Sequence, residues 1–254
     1  MDKRLTFNEE VANYDKFRPR YCQELFDSII EYSGLDATKK AVEVGIGTGQ
    51  ATTPFLQTGC HITAIELGDK LAAYTKEKFR DYDNFTIHNI AFENYIYEHN
   101  SIDLMYSATA FHWIPDEIGY QRAYEMLRSG GSIALFWNRP SVETSDIHFD
   151  IQSVYAKYMP TIKEPNRNHQ EVYQKVIDAI NRYGFTDLQF KLMYQTRNLN
   201  TEEYVSLLNT YSDHISLESN VKRKLYSEMK EVINYYGGTI TIHDTIDLYM
   251  AKKP

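Results

Sequence analysis

Three glycines at alternate positions, Gly45, Gly47 and Gly49, follow the apolar run Ala41–Val44, with carboxylates at Glu43 before them and at Glu66 beyond. Glycine accepts positive φ and leaves backbone N–H groups bare, so such a loop can turn sharply off a strand and cradle a ligand. The two carboxylates add acceptors for hydroxyl or ammonium donors. The spacing is G-x-G-x-G. A dinucleotide fingerprint, G-x-G-x-x-G, needs glycine where Gln50 stands, which disfavours an NAD-dependent oxidoreductase without removing it.

The elements that must position these groups can be read around them. Residues 41–66 form strand, glycine turn, helix over Gln50–Gln57, and strand, a βαβ unit with a ligand loop. Upstream, Phe7, Val11 and Tyr14 fall at helical spacing until Asp15–Tyr21, where Pro19 interrupts. Gln23–Tyr32 then carries Leu25, Phe26, Ile29 and Ile30 on one stripe closed by Gly34. Downstream come a helix from Asp69 to Phe79, strands over Phe85–His88, Ser101–Ser107 and Ser132–Trp137, and a turn at Arg128–Gly131. Asn138-Arg139-Pro140 ends the regular half, and residues 141–168, with Pro160 and Pro165, show no clean period. A helix over His169–Arg182 and a strand over 185–197 follow. Asn200 or Thr201 caps a helix with the stripe Tyr204, Leu207, Leu208 and Tyr211. A helix over Glu218–Tyr236 and an alternating strand from Thr239 complete the chain.

A chain of 254 residues with 43% hydrophobic content can bury one α/β core and still carry an insertion. The net charge of −8 argues against a nucleic-acid substrate, because phosphate binding needs a basic face. Cys22 and Cys60 have no metal-ligand spacing, so no metal is expected, and two such thiols suit the reducing cytoplasm. Neither an apolar signal core nor a run of about 18 apolar residues is found, so secretion and membrane spanning are not expected.

The loop G-I-G-T-G, with Glu43 before it and Glu66 ending the next strand, resembles motif I and the following acidic position of the class I S-adenosylmethionine (SAM)-dependent methyltransferases. The resemblance implies that SAM is the cofactor and S-adenosylhomocysteine the product. Gly45, Gly47, Thr48 and Gly49 would underlie the methionine end, Glu43 would serve its amino group, and Glu66 with Leu67 would receive the ribose. In N-I-A-F-E-N-Y, Ala91 stands where the family often has aspartate. Phe92 is then a base-stacking residue or core filling, with Glu93 a weaker candidate for the adenine edge. Ser107 and Ala108, at the end of a central strand, would flank the methionine part.

A post-strand F-H-W-I-P paired with a later L-R-S-G-G resembles a subset of these enzymes, the trans-aconitate methyltransferase-like group, which methylates carboxylates. That resemblance covers roughly residues 7 to 138. It implies an α/β fold class: a doubly wound, seven-stranded, mostly parallel sheet of the Rossmann-like methyltransferase type, with an antiparallel last strand and a helical lid. One domain spans 1–254, with an N-terminal helical cap (1–34), a SAM-binding core (35–140), an irregular and helical segment (141–184) and a lid (198–238) between the last two strands. His112 is either a hydrogen-bonding structural residue or a base, and Tyr14 is the other catalytic candidate. Arg18, Tyr21, Trp113, Arg139, Tyr204 and Tyr211 are candidates for the acceptor, with Arg18, Arg139 or Arg197 as a carboxylate clamp; the tyrosines can equally be helix-packing residues. The expected function is methyl transfer to a small molecule, a small carboxylic acid foremost. A SAM-binding protein without transfer activity is the alternative, and the oligomeric state is left open.

Overall fold

The computed structural model describes Arg4, Asn8 and residues 11–141, 144–160 and 169–254; Phe7 and Pro165 lie outside the described residues. Seven strands form one sheet in the order β3-β2-β1-β4-β5-β7-β6. Strands β1 (Lys40–Val44), β2 (His61–Glu66), β3 (Phe85–Asn89), β4 (Ile102–Ala108) and β5 (Leu127–Pro140) are parallel. The last strand, β7 (Thr239–Lys252), runs antiparallel between β5 and β6 (Thr186–Asn200). Strand order reverses between β1 and β4, and in an open sheet of this kind ligands bind beyond the strand C-termini at such a switch point.

Alternation along each strand divides the core into two faces. Ala41, Leu104, Tyr106, Ala134 and Phe136 pack under α2 (Gln23–Ser33) and α3 (Thr52–Leu56) through Leu25, Phe26, Ile29 and Phe55. Val42, Met105, Ile133 and Leu135 point the other way, onto α5 (Asp116–Met126) and α7 (His169–Arg182) through Ala123, Met126, Tyr173 and Ile180. Beside the glycine loop, α4 (Asp69–Lys78) buries Leu71, Ala72 and Thr75.

A third apolar cluster lies off the sheet. Ile151 and Val154 of α6 (Asp146–Tyr158) meet Leu207 and Leu208 of α8 (Thr201–Leu208) and Leu225, Met229 and Ile233 of α10 (Ser219–Tyr235). The cluster therefore draws on two insertions, one after β5 and one after β6. Helix α6 occupies a stretch expected to be irregular, although Ile147, Ile151, Val154, Tyr155 and Tyr158 do recur at helical spacing. Asn200 caps α8 in a reciprocal box: its side chain accepts from the Glu203 N–H, and the Glu203 carboxylate accepts from the Asn200 N–H. Tyr211 leaves the expected stripe, because α8 ends at Leu208 and Tyr211 precedes the short α9 (Ser212–Ile215).

Two further boundaries differ from the sequence expectation. Helix α1 (Val11–Phe17) continues through Asp15 and stops only at Arg18, the residue that Pro19 bars from helical geometry. The Arg128–Gly131 turn is absorbed into β5, where the register against β4 shifts and Gly130 adopts φ +75°.

Beneath the glycine loop, Glu43 is buried and its Oε2 accepts from Thr52 Oγ1 at 2.7 Å and Tyr106 OH at 2.8 Å. It knits β1 to α3 and β4. Burial pushes its carboxyl from an ordinary 4.5 up to about 7, against the lowering effect of those two bonds. An acid with a raised folded-state value holds its proton more tightly when folded. Its stabilising contribution is complete below the unfolded value and is lost as pH rises through about 7. Glu43→Gln should therefore lose less Tm than the wild type between about pH 5 and about pH 8; equal losses would show that Glu43 ionises alike in both states. Gly49 tests the loop packing separately. It adopts φ +77°, and a Cβ there would lie 2.5 Å from Phe79 Cε2. Gly49→Ala should cost about 3 kcal/mol in chemical denaturation, and an unchanged midpoint would contradict the packing described.

Candidate active site

The loop after β1 is held from both sides. The Gly45 N–H donates to the Ile65 carbonyl at 2.9 Å, and a Cβ at Gly45 would meet the Ala110 Cβ at 2.5 Å, so the loop nests against the segment after β4. Gly47 meets a different demand. A Cβ there would find nothing nearer than Tyr14 Cε1 at 3.7 Å, but its φ of +59° aims its N–H at Glu66 Oε2, 2.8 Å away. Glu66 Oε1 accepts from the Gly68 N–H at 2.9 Å. One carboxylate at the end of β2 thus bridges its own turn and the glycine loop. Burial raises its pKa while these backbone donors lower it.

Around this bridge lies a cavity of about 490 Å³, within the roughly 300–1,000 Å³ typical of small-ligand pockets. Of the expected cofactor residues, Gly45, Gly47, Glu66, Leu67, Phe92 and Ala108 line it. Ile65, Leu71, Ile90 and Ile114 add apolar walls. Of the residues expected at the acceptor, Tyr14, Arg18, Tyr21, His112, Trp113 and Tyr211 line the same cavity. Residues 11–21, the ends of β4 and β5, and the segment before α9 therefore converge on one space.

Several expected residues are placed elsewhere. Glu43 faces Thr52 and Tyr106 rather than the cavity. Thr48 is buried, its Oγ1 accepting from Gln50 Nε2 and its carbonyl from Lys78 Nζ, and Gly49 packs on Phe79. Ser107 Oγ donates to the Val44 carbonyl at 2.8 Å and ties β4 to β1. Glu93 pairs with Arg4 at 2.7 Å. Tyr204 belongs to the off-sheet apolar cluster. Two of the three clamp candidates are also committed: Arg139 grips buried Asp247 at 2.8 and 3.2 Å, and Arg197 grips buried Asp244 at 2.5 and 3.0 Å. A carboxylate left without such a partner would be an uncompensated buried charge, so both arginines hold β7 in place.

Arg18 remains at the cavity. Its guanidinium lies between two rings, 4.8 Å from the Tyr14 centroid and 4.6 Å from that of Tyr211, and Nη2 donates to the Thr210 carbonyl at 2.6 Å. This contact joins α1 to the segment after α8, aided by Asn13 Nδ2 donating to the Ser206 carbonyl at 2.9 Å. On its other side α1 is fastened to α4, with Tyr74 OH and Lys78 Nζ donating to Asp15. Tyr21 OH shares a 2.8 Å hydrogen bond with Thr109 Oγ1, and its ring stands edge-on to Phe136.

His112 is not poised as a base. Trp137 Nε1 donates to its Nδ1 at 3.0 Å, and burial together with the nearby Arg139 charge pushes the imidazole down to about 4. Sequence reasoning missed four cavity residues that matter to this geometry. Thr109 sits at φ +54°, a conformation costing a β-branched residue about 1–3 kcal/mol, with no local sequence signal. Asn138 was legible only as the end of a strand, whereas Gln50 and Asp213 follow motifs whose spacing drew attention to other residues. Among the described residues no group of His, Cys, Asp and Glu is arranged to hold a metal ion, and no helix is long and apolar enough to cross a membrane.

Residues 42–135 match the family described as Methyltransferase domain. An uncharacterized methyltransferase of Schizosaccharomyces pombe is 23% identical over 229 residues, covering 90% of this chain and 87% of that one. A second S. pombe protein, an uncharacterized methyltransferase-like protein, is 26% identical with 89% and 85% covered. Among solved structures, a candidate type II methyltransferase from Anaeromyxobacter dehalogenans superposes with a TM-score of 0.68 at 15% identity, covering 93% of this chain and 98% of the other. A phosphoethanolamine N-methyltransferase from Haemonchus contortus, solved with phosphomonomethylethanolamine and S-adenosylhomocysteine, gives 0.58 at 16% identity, covering 97% of this chain and 57% of that one. The glycine loop and Glu66 fall within the segment that matches the Methyltransferase domain family, and the seven-stranded sheet has the Rossmann-like fold of the solved methyltransferase structures.

Proposed function

We propose that this protein is a SAM-dependent methyltransferase acting on a small-molecule acceptor, with a small carboxylic acid as the acceptor class. The observation that carries the proposal is the continuity of one cavity from the Glu66 bridge to the Arg18 sandwich. Glu66 uses two of about four carboxylate lone-pair sites on backbone N–H groups, which leaves acceptor capacity for the two hydroxyls of a ribose. The bare backbone at Gly47 and the apolar walls at Ile65, Leu71 and Phe92 suit the remainder of a nucleoside. The H. contortus structure with S-adenosylhomocysteine supports the same cofactor in this fold.

When bound, SAM supplies an electrophilic methyl group on a sulfonium. The protein's own task is alignment and exclusion of water, effects that together can contribute about 7–11 kcal/mol. Arg18 would pair with the acceptor carboxylate while Tyr14 and Tyr211 keep its guanidinium in place. The helices of the off-sheet cluster serve as the lid, and residues 11–34 as the cap that closes the same space. A carboxylate arrives already deprotonated, which agrees with a site whose histidine is a poor base.

Calorimetry with SAM and with NAD, followed by transfer of labelled methyl from SAM to a panel of small carboxylic acids, phenols and amines, tests the proposal. SAM should bind, NAD should not, and acids should be methylated; binding without transfer to any of them would make the protein a SAM binder instead. For a methylated acid, Arg18→Ala should raise KM by about tenfold or more, the loss of a charge-assisted contact worth at least about 1.4 kcal/mol. Arg139→Ala and Arg197→Ala should act on Tm, since each strands a buried aspartate. An unchanged KM in Arg18→Ala would remove the clamp.

A further inference from the structure

At the ends of β4 and β5, three groups come together that the methyl-transfer reading alone leaves without a task, and two of them, His112 and Asn138, line the same cavity as Arg18. Trp137 is buried and donates from Nε1 to His112 Nδ1 at 3.0 Å. An indole N–H is a donor only. The nitrogen it meets must therefore present a lone pair, and the proton of neutral His112 resides on Nε2. Protonating Nδ1 would set two N–H groups against each other. Trp137 itself is fixed by its edge-on contact with Tyr249, ring centroids 5.8 Å apart, and by the Arg139 guanidinium 5.6 Å over its ring.

The next residue of β5 is Asn138. Its backbone N–H donates to Thr109 Oγ1 at 3.2 Å, while its side-chain Nδ2 and Oδ1 are both shielded and have no hydrogen-bond partner among the described residues. Asn138, Thr109 and His112 all line the cavity. A shielded carboxamide without partners is costly unless something else satisfies it.

We propose that His112 and Asn138 form a hydrogen-bond-donating seat for the acceptor's carboxylate, with Trp137 as the positioning residue that holds His112 as an Nε2–H donor. The proposal rests on the methyltransferase reading and deepens it. In the seat the carboxylate accepts from His112 Nε2–H and from the Asn138 amide, while Arg18 supplies the countercharge. One carboxylate oxygen forms the new bond to the methyl carbon as the carbon–sulfur bond breaks, and that bond's electron pair stays on sulfur. Anion and sulfonium neutralise each other, and no proton moves. A phenol or an ammonium acceptor would have to shed a proton, and His112, with Nδ1 engaged by Trp137 and Nε2 already protonated, has no lone pair to receive it. The seat therefore selects acceptors that arrive deprotonated.

Nitrogen-15 NMR of the imidazole-labelled protein, loaded with S-adenosylhomocysteine, reads the tautomer directly. His112 should appear as the neutral Nε2–H form down to about pH 5.5, and Trp137→Phe should release it into a mixture of tautomers. An Nδ1–H form, or a tautomer indifferent to Trp137→Phe, overturns the proposal. Labelled-methyl transfer to the carboxylic-acid panel supplies the second readout. His112→Gln, which keeps a donor and cannot act as a base, should retain kcat/KM within about threefold, whereas His112→Leu and Asn138→Leu should lose about tenfold or more with SAM affinity unchanged. A His112→Gln protein as impaired as His112→Leu, or phenols and amines methylated in preference to acids, overturns the seat. Failure of the wild type to bind SAM in calorimetry would instead overturn the cofactor reading beneath it.

Discussion

A single carboxylate, Glu66, accepting from the amides of Gly47 and Gly68, is the constraint on which the site depends. Strand pairing alone aligns β1 and β2 as far as Val44 and Ile65. Beyond that register the chain leaves the ladder, and the Glu66 side chain at the end of β2 reaches back to the Gly47 N–H, joining Thr75 and Lys78 of α4, which donate to the Gly47 and Thr48 carbonyls, in fixing the loop after β1. The φ values of Gly45 and Gly47, +72° and +59°, serve that geometry. Removing the acid would take away the contact that aims the Gly47 N–H, in a loop whose Gly45 and Gly47 line the cavity.

The rest of the site follows a division of labour among charges. Buried acids that could have been functional are structural: Glu43 joins β1, α3 and β4, while Asp244 and Asp247 bind arginines along β7. Those arginines are bound to β7, whereas Arg18 lies at the cavity between two tyrosine rings where α1 meets the segment after α8. Helix α1 has no buried residue of its own and is held on two sides by polar contacts, to α4 through Asp15 and to the region around α8 through Asn13 and Arg18. The same contacts that place Arg18 over the cavity therefore close that wall of it.

Much of this was legible in the sequence because it rests on local signals. Gly45, Gly47, Glu66 and Leu67 follow from strand, glycine spacing and strand, and Phe92 and Ala108 from the ends of later strands, all of which line the cavity. The capping box at Asn200 and the stop at Pro19 are equally local. What escaped depends on which way a side chain turns. Glu43 and Ser107 lie at the expected strand ends, but alternation aims them at Thr52 and the Val44 carbonyl. Arg139 looked like a clamp because its partner, Asp247, is more than a hundred residues away. Thr109 and Asn138 owe their places to a strained turn and to a sheet neighbour, which no pattern within a short window encodes.

The central claim is that Glu66 organises a nucleoside site, and its most direct test is titration of SAM into the wild type and Glu66→Gln by calorimetry, with folding checked by circular dichroism. A neutral amide accepts more weakly from the loop N–H groups and from sugar hydroxyls, so affinity should fall by about tenfold to a hundredfold in a folded protein. Equal affinity in the two proteins would contradict the account, because the sugar would then be held elsewhere.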